Sequence, residues 1–248
     1  MSIRPYYERD GITIYHGEAL DVIPTLSGVG AVVTDPPYSS GGAMRGDRMA
    51  ATTSKYVQSG TVEFRPEFSG DNRDQRGYLA WCSLWMCAAF HASVVGAPIA
   101  CFSDWRQLPT TTDAVQSGGW VWRGIATWAK GYGRVMSSGF SSACEYLVWG
   151  TKGPAPERED YPPGYVECQP PKNRVHIAQK PVEVMSWALR IAAPGAKILD
   201  PFMGSGTTLV AAALAGHPAI GVDCQESNCE IAAKRLAQGV LPLAEAKA

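Results

Sequence analysis

Ile198-Leu199-Asp200-Pro201-Phe202-Met203-Gly204-Ser205-Gly206-Thr207-Thr208 runs directly into Leu209-Val210-Ala211-Ala212-Ala213. Two branched apolar residues and an acid read as the end of a buried strand. A turn with two glycines follows, then an alanine-rich helix from Thr207. Glycines let the backbone approach a ligand closely, and a helix start presents N–H groups with no partner inside the helix. Ala219-Ile220-Gly221-Val222-Asp223 then reads as a second strand that also ends in an acid. An acid at that place can accept ribose hydroxyls of a bound nucleoside. Strand, glycine turn, helix, strand and acid in this order predict a nucleoside cofactor on an α/β sheet. The pyrophosphate fingerprint G-x-G-x-x-G is not met, because Leu209 follows Gly204-x-Gly206 at the third position. That spacing disfavours NAD and FAD.

Outward from this stretch, short apolar runs alternate with helical segments, the pattern of a mainly parallel sheet flanked by helices. Strands are predicted at Ile12–Tyr15, Val29–Thr34, Ala97–Phe102, Trp120–Trp128, Tyr146–Trp149, Lys197–Leu199 and Ala219–Val222. Helices are predicted near Asp74–Ser93, Trp105–Ser117, Pro181–Ala193, Gly206–Ala215 and Glu226–Gln238. With 46% apolar and 18% charged residues, the chain can bury a core and reads as one domain over residues 1–248. Segments 39–73, 131–142 and 151–175 lack this regularity and are predicted as functional loops.

The charge balance is 22 − 23 = −1, which excludes a generally basic, charge-driven nucleic-acid binder; a polyanion must be met by a local patch. The seven cysteines include no C-x-x-C pair, so neither a metal site nor a disulfide frame is expected, and a reducing cytoplasm is the plain reading. The uncharged run Trp81–Phe102 is interrupted by His91, Gly96 and Pro98 and reads as a core helix and a strand rather than a membrane span.

The second informative stretch is Asp35-Pro36-Pro37-Tyr38, directly after Gly30-Ala31-Val32-Val33-Thr34. Two prolines stiffen the backbone and remove two N–H donors, leaving carbonyls as fixed acceptors. A carboxylate precedes them and an aromatic ring follows. The four residues form a seat for a planar heterocycle that carries an amino group.

Together these residues resemble the β class of DNA amino-methyltransferases, in which a D/S/N-P-P-Y/F/W motif precedes an F-x-G-x-G cofactor loop. Asp35–Tyr38 is similar to the first motif and Phe202–Gly206 to the second. His176-Ile177-Ala178-Gln179-Lys180-Pro181 resembles the H-P-x-Q/E-K-P segment found before the cofactor loop, with Ile177 in place of proline. Gly221-Val222-Asp223 stands where the family often has Gly-Ile-Glu, and Glu18 of His16-Gly17-Glu18 stands where it has an Asp on the adenine. Thr127-Trp128-Ala129-Lys130 and Cys144-Glu145-Tyr146 lie near its W-x-K and H-E elements, with Cys144 in place of the histidine.

The resemblance implies a Rossmann-like S-adenosylmethionine-dependent fold and methyl transfer to an exocyclic amine of a flipped-out base in duplex DNA. Asp35, Pro36, Pro37 and Tyr38 are the implied catalytic residues. Glu18, Asp35, Lys180, Asp200, Phe202, Gly204, Ser205, Gly206, Thr207 and Asp223 are the implied cofactor-binding residues. Adenine N6 is preferred over cytosine N4 because Asp35 is a full negative charge and a purine stacks better on Tyr38. A nicotinamide-dependent oxidoreductase is the alternative from another class, and it leaves Asp35–Tyr38 unexplained. Phosphate contacts are expected from Arg45, Arg48 and Lys55, from Arg123, Lys130 and Arg134, and from Lys172 and Arg174. A homodimer is expected from the family.

Overall fold

A computed structural model describes residues 3–39, 73–134, 139–155, 157, 160–170 and 180–238. Their strands are β1 (Tyr7–Arg9), β2 (Ile12–His16), β3 (Ala31–Thr34), β4 (Pro98–Ser103), β5 (Val121–Arg134), β6 (Ser142–Thr151), β7 (Tyr165–Glu167), β8 (Ile198–Asp200) and β9 (Ala219–Asp223). Their helices are α1 (Ala19–Val22), α2 (Gln75–Ala92), α3 (Leu108–Ser117), α4 (Val182–Leu189), α5 (Thr207–Leu214) and α6 (Glu226–Ala237), with a 3-10 turn at Ile23–Thr25. The strands form one sheet in the order β1-β2-β9-β8-β3-β4-β6-β5-β7. From β2 to β4 every neighbour is parallel. β6 is antiparallel to both β4 and β5, and β7 returns parallel to β5. This is the expected Rossmann-like methyltransferase architecture.

Alternation along the central strands explains the two covering layers. Ala31 and Val33 of β3, Ala100 and Phe102 of β4 and Ile198 of β8 point into one core with Val184, Met185, Leu209 and Ala212 of α4 and α5. Val32, Ile99, Cys101 and Leu199 point into the other, against Tyr78, Cys82, Trp85 and Met86 of α2. Successive strand residues face opposite sides, so a sheet covered on both faces needs apolar residues at every position. All four residues of β3 and all six of β4 are buried accordingly.

Two departures from the sequence reading bear on the site. Segment 131–142 is not one loop: β5 runs on to Arg134 and β6 starts at Ser142, forming a hairpin. A register shift between Ala129 and Arg134, with Gly131 at φ +72°, accommodates the glycines that obscured the strand. Segment 151–175 contains β7, whose three residues are too few to show a period. Residues 40–72 and 171–179 lie outside the described residues, and with them Arg45, Arg48, Lys55, Lys172, Arg174 and His176. Among the described residues no helix is long and apolar enough to cross a membrane.

Candidate active site

Parallel neighbours bring their carboxyl ends to one edge, and four motif segments meet there. Asp35 follows β3, the glycine turn follows β8, Asp223 closes β9, and Glu18 lies two residues past β2. Gly17 N donates to the Asp223 carbonyl at 3.0 Å, joining the ends of β2 and β9. Glu18 itself is exposed at the start of α1 and makes no side-chain cap.

Asp35 is the centre of a polar cluster drawn from distant parts of the chain. The Tyr38 hydroxyl lies 2.5 Å from Asp35 Oδ1 and 3.1 Å from Glu145 Oε2. With one proton, it donates to one carboxylate at a time. Lys180 Nζ donates to Asp35 Oδ2 at 2.5 Å and to the Tyr38 hydroxyl at 3.0 Å, and pairs with Glu145 Oε2 at 3.0 Å. Lys130 Nζ reaches the other Glu145 oxygen at 2.5 Å. Two carboxylates therefore face two ammonium groups, and the cluster is neutral as a whole. The Lys180 side chain is 8% exposed, and its charge also lies 5.2 Å from the Tyr38 ring centre and 5.1 Å from that of Phe102.

Burial and pairing push these groups in different directions. Burial raises the Asp35 carboxyl above the ordinary carboxylate range; Lys180 pulls it down, and nearby Glu145 pushes it up again. Burial would also raise Glu145, but Lys180 and Lys130 outweigh it and hold the carboxyl down at about 2. Lys180 is raised despite its burial, because Asp35 and Glu145 both favour the ammonium. Glu145 is the firm anion of the cluster and Asp35 the easily protonated one.

The turn after the seat is also held. Ser39 is buried at φ +53°, and Gln107 Nε2 donates to its carbonyl at 3.3 Å.

The glycine turn is built differently at its two glycines. Gly204 (φ +50°) has open space where a Cβ would stand, whereas at Gly206 (φ +78°) a Cβ would strike that of Ala232 at 2.7 Å. Only the first leaves room for a ligand; the second lets α6 pack. Arg235 of α6 holds the turn from below, donating to the Ser205 carbonyl at 2.6 Å and lying 3.3 Å from Thr207 Oγ1. Phe202 packs against Trp81 and Trp85, with ring centres 5.0 and 5.2 Å away.

Several expected residues sit elsewhere than the sequence reading put them. Lys180, expected at the cofactor, lies on Asp35. Asp200 is 2% exposed and turned inward. Its oxygens accept from Thr34, Thr208 and the Phe202 N–H, so its charge is met chiefly from within the protein. Asp223 accepts from Gly204 N at 3.0 Å, Gln225 N at 2.8 Å and Asn228 Nδ2 at 3.0 Å. A carboxylate has about four acceptor sites, so one remains for a ribose hydroxyl rather than two.

Lys130 is committed to Glu145. Arg123 lies at the opposite edge of the sheet, because β5 starts beside Thr151 and Pro98, and it bonds Thr151 Oγ1 and the Gly153 carbonyl. Both have partners within the protein, and Arg123 lies away from the strand ends that carry Asp35. Arg134 closes β5 in the part of the hairpin that overhangs the site edge.

Comparison with known proteins agrees with this architecture. The family model described as DNA methylase matches residues 29–234. The type II methyltransferase M.ScaI of Streptomyces caespitosus is 24% identical over a 279-residue alignment covering 94% of this chain and 84% of that protein. Among solved structures, the PvuII DNA methyltransferase (cytosine-N4-specific) superimposes with a TM-score of 0.71 at 14% identity, covering 94% of this chain and 88% of that one. The M1.HpyAVI–SAM complex gives a TM-score of 0.62 at 22% identity, covering 90% and 99%. The oxidoreductase alternative finds no support.

Proposed function

The chain belongs to the DNA methylase family that comprises N6 and N4 amino-methyltransferases, and from that premise we propose that it methylates N6 of a flipped-out adenine in duplex DNA. The observation that carries the proposal is the buried, charge-balanced seat around Asp35, on the strand next to the one that opens the glycine turn.

S-adenosylmethionine fits the turn: open space lies over Gly204, and Asp223 keeps one acceptor position beside it. When bound there it supplies an electrophilic methyl group on a sulfonium. Gly204, Ser205 and Asp223 hold it, with Glu18 at the neighbouring strand end.

The chain's own residues handle the amine. An exocyclic amine is a poor nucleophile because its lone pair is delocalised into the ring. Asp35 and the Pro36 carbonyl, accepting its two hydrogens, favour a more tetrahedral nitrogen with a directed lone pair. For the amine to reach Asp35 Oδ2, Lys180 must yield that oxygen, and Glu145 keeps the ammonium nearby when it does. Lys180 thus maintains Asp35 as a carboxylate in the free protein. The Tyr38 hydroxyl fixes the ring that the base stacks on, and positioning supplies most of the rate gain. The methylated nitrogen, positively charged, is stabilised by Asp35 and then sheds a proton readily to water.

Adenine is assigned over cytosine because Asp35 is a charged acceptor and Tyr38 a broad stacking partner. Extruding the base costs a few kcal/mol, partly offset by that stacking. The duplex is assigned to the edge that carries Asp35, with phosphate contacts from Arg134 and from Arg45, Arg48, Lys55, Lys172 and Arg174. The test is transfer of labelled methyl from S-adenosylmethionine to mixed duplex DNA, RNA and protein, with the modified nucleoside identified by mass. N6-methyldeoxyadenosine from DNA is expected. N4-methylcytosine as sole product overturns the base assignment, and unlabelled DNA overturns the proposal.

A further inference from the structure

Asp200 is buried between the two halves of the site. Its Oδ1 accepts from Thr34 Oγ1 at 2.7 Å and from the Phe202 N–H at 3.1 Å, and its Oδ2 accepts from Thr208 Oγ1 at 2.5 Å. Thr34 is the residue immediately before Asp35. Phe202 and Thr208 bracket the glycine turn. The last ladder pair between β3 and β8 is Val32↔Leu199. Beyond it Pro201 has no N–H to continue the ladder, and the strand ends are free to diverge. The Asp200 carboxylate bridges them at that point, with donors on the buried Thr34 and Thr208 and on the backbone of the half-buried Phe202.

We propose that Asp200 is a positioning residue that sets the separation between the Asp35 seat and the glycine turn, an inference that rests on the methyltransferase reading above. Its role follows from geometry. The attacking nitrogen is held at the end of β3 and the methyl donor at the end of β8. The strut between those ends fixes how closely the two reacting atoms can approach. A misplacement of about 1 Å in such a pair can cost about a hundredfold in rate. A residue that only filled space would need neither charge nor three donors drawn from β3, the turn after β8 and α5.

The strut can be cut at either end without opening a cavity, because valine has nearly the shape of threonine. Thr34→Val releases the seat while leaving Thr208 attached; Thr208→Val releases the helix while leaving Thr34 attached. Each is expected to slow single-turnover methyl transfer about tenfold, with the S-adenosylhomocysteine affinity of Thr34→Val near wild type. The double variant is expected to be no slower than the slower single one, since a strut cut once is already cut. A second readout needs no substrate: in the ligand-free protein, Thr34→Val should speed hydrogen exchange at the Phe202 amide, which shares Oδ1 with Thr34.

Rates that multiply in the double variant, or Phe202 exchange unchanged in Thr34→Val, would overturn the proposal. A wild-type protein that methylates no DNA would instead strike the methyltransferase reading, and the exchange measurement would still decide the strut.

Discussion

Replacing Lys180 by methionine removes one positive charge from a site that holds two negative ones. Lys180 Nζ is the shared partner of Asp35 Oδ2, Glu145 Oε2 and the Tyr38 hydroxyl. Methionine keeps most of the stem volume, so the change is chiefly electrostatic. Breaking a buried pair by deleting one partner costs about 3–5 kcal/mol, because the other charge is left uncompensated. Part of that cost is relieved if a carboxylate takes up a proton. Glu145 retains Lys130 and stays ionised; Asp35 has no second cation and is already pushed upward by burial. Asp35 is therefore the group that protonates.

The sign follows directly. A higher Asp35 pKa means that transfer, which needs the carboxylate, begins only at higher pH. The acid limb of the pH–rate profile should move up in Lys180→Met, and each unit of movement represents about 1.4 kcal/mol. Glu145→Gln supplies the opposite control. It removes the anion that raises Asp35, and the acid limb should move down. Single-turnover transfer between pH 5 and 9, at saturating DNA and S-adenosylmethionine, measures both. An acid limb that stays put in Lys180→Met, or that moves the same way in both variants, would refute the assignment of Lys180 as the guardian of the Asp35 charge.

Asp35→Ala should abolish methyl transfer while S-adenosylhomocysteine still binds in calorimetry; near-wild-type turnover would remove Asp35 from the chemistry. Tyr38→Phe keeps the ring but loses the hydroxyl contacts to Asp35 and Glu145, and unfolding in denaturant should show a loss of about 1–3 kcal/mol. Arg235→Ala should weaken S-adenosylhomocysteine binding more than DNA binding, because it frees the glycine turn at Ser205; equal effects on both would argue against a local role. Burial lifts the Asp200 carboxyl to about 6 against the bonds from Thr208 and Thr34. Its ionisation therefore destabilises the fold as pH rises from about 4 through about 6, by up to about 3 kcal/mol. Asp200→Asn lacks this loss, so its stability relative to wild type should rise between pH 4 and pH 8; a constant or falling difference contradicts the shift.

What could be read from the chain was what lies contiguous in it. Ile198–Ala213 contains a strand end, a turn and a helix start within one stretch, and each follows from local chemistry: branched apolar residues, then glycine, then alanine. Asp35–Tyr38 is equally local, since two adjacent prolines after an apolar run end a strand in only a few ways. The central strands were legible because burial on both faces leaves continuous apolar runs. β5 was legible only to Trp128, where apolar side chains give way to Lys130 and glycines, although the ladder with β6 carries on. A ladder needs a partner strand, and no stretch of one strand records where its partner ends.

The polar cluster was not legible for a related reason. Asp35, Tyr38, Lys130, Glu145 and Lys180 come from the end of β3, the β5–β6 hairpin and the start of α4, and the Asp35 charge meets Lys180 only across 145 residues of chain. Lys130 on its own reads as a surface cation, and a phosphate contact is the natural expectation for it. Only the register Trp128↔Glu145 and Ala129↔Cys144 puts its ammonium beside a buried acid. Cys144, in place of the family's histidine, made the neighbouring Glu145 look incidental. Asp200 and Asp223 show the converse. Both are acids at strand ends, and the same local pattern suits a ligand contact or a brace. The choice is made by donors elsewhere in the chain: Thr34 for Asp200, Asn228 for Asp223. An acidic residue at a strand end declares that a charge must be satisfied there, and the fold decides whether the protein or the ligand satisfies it.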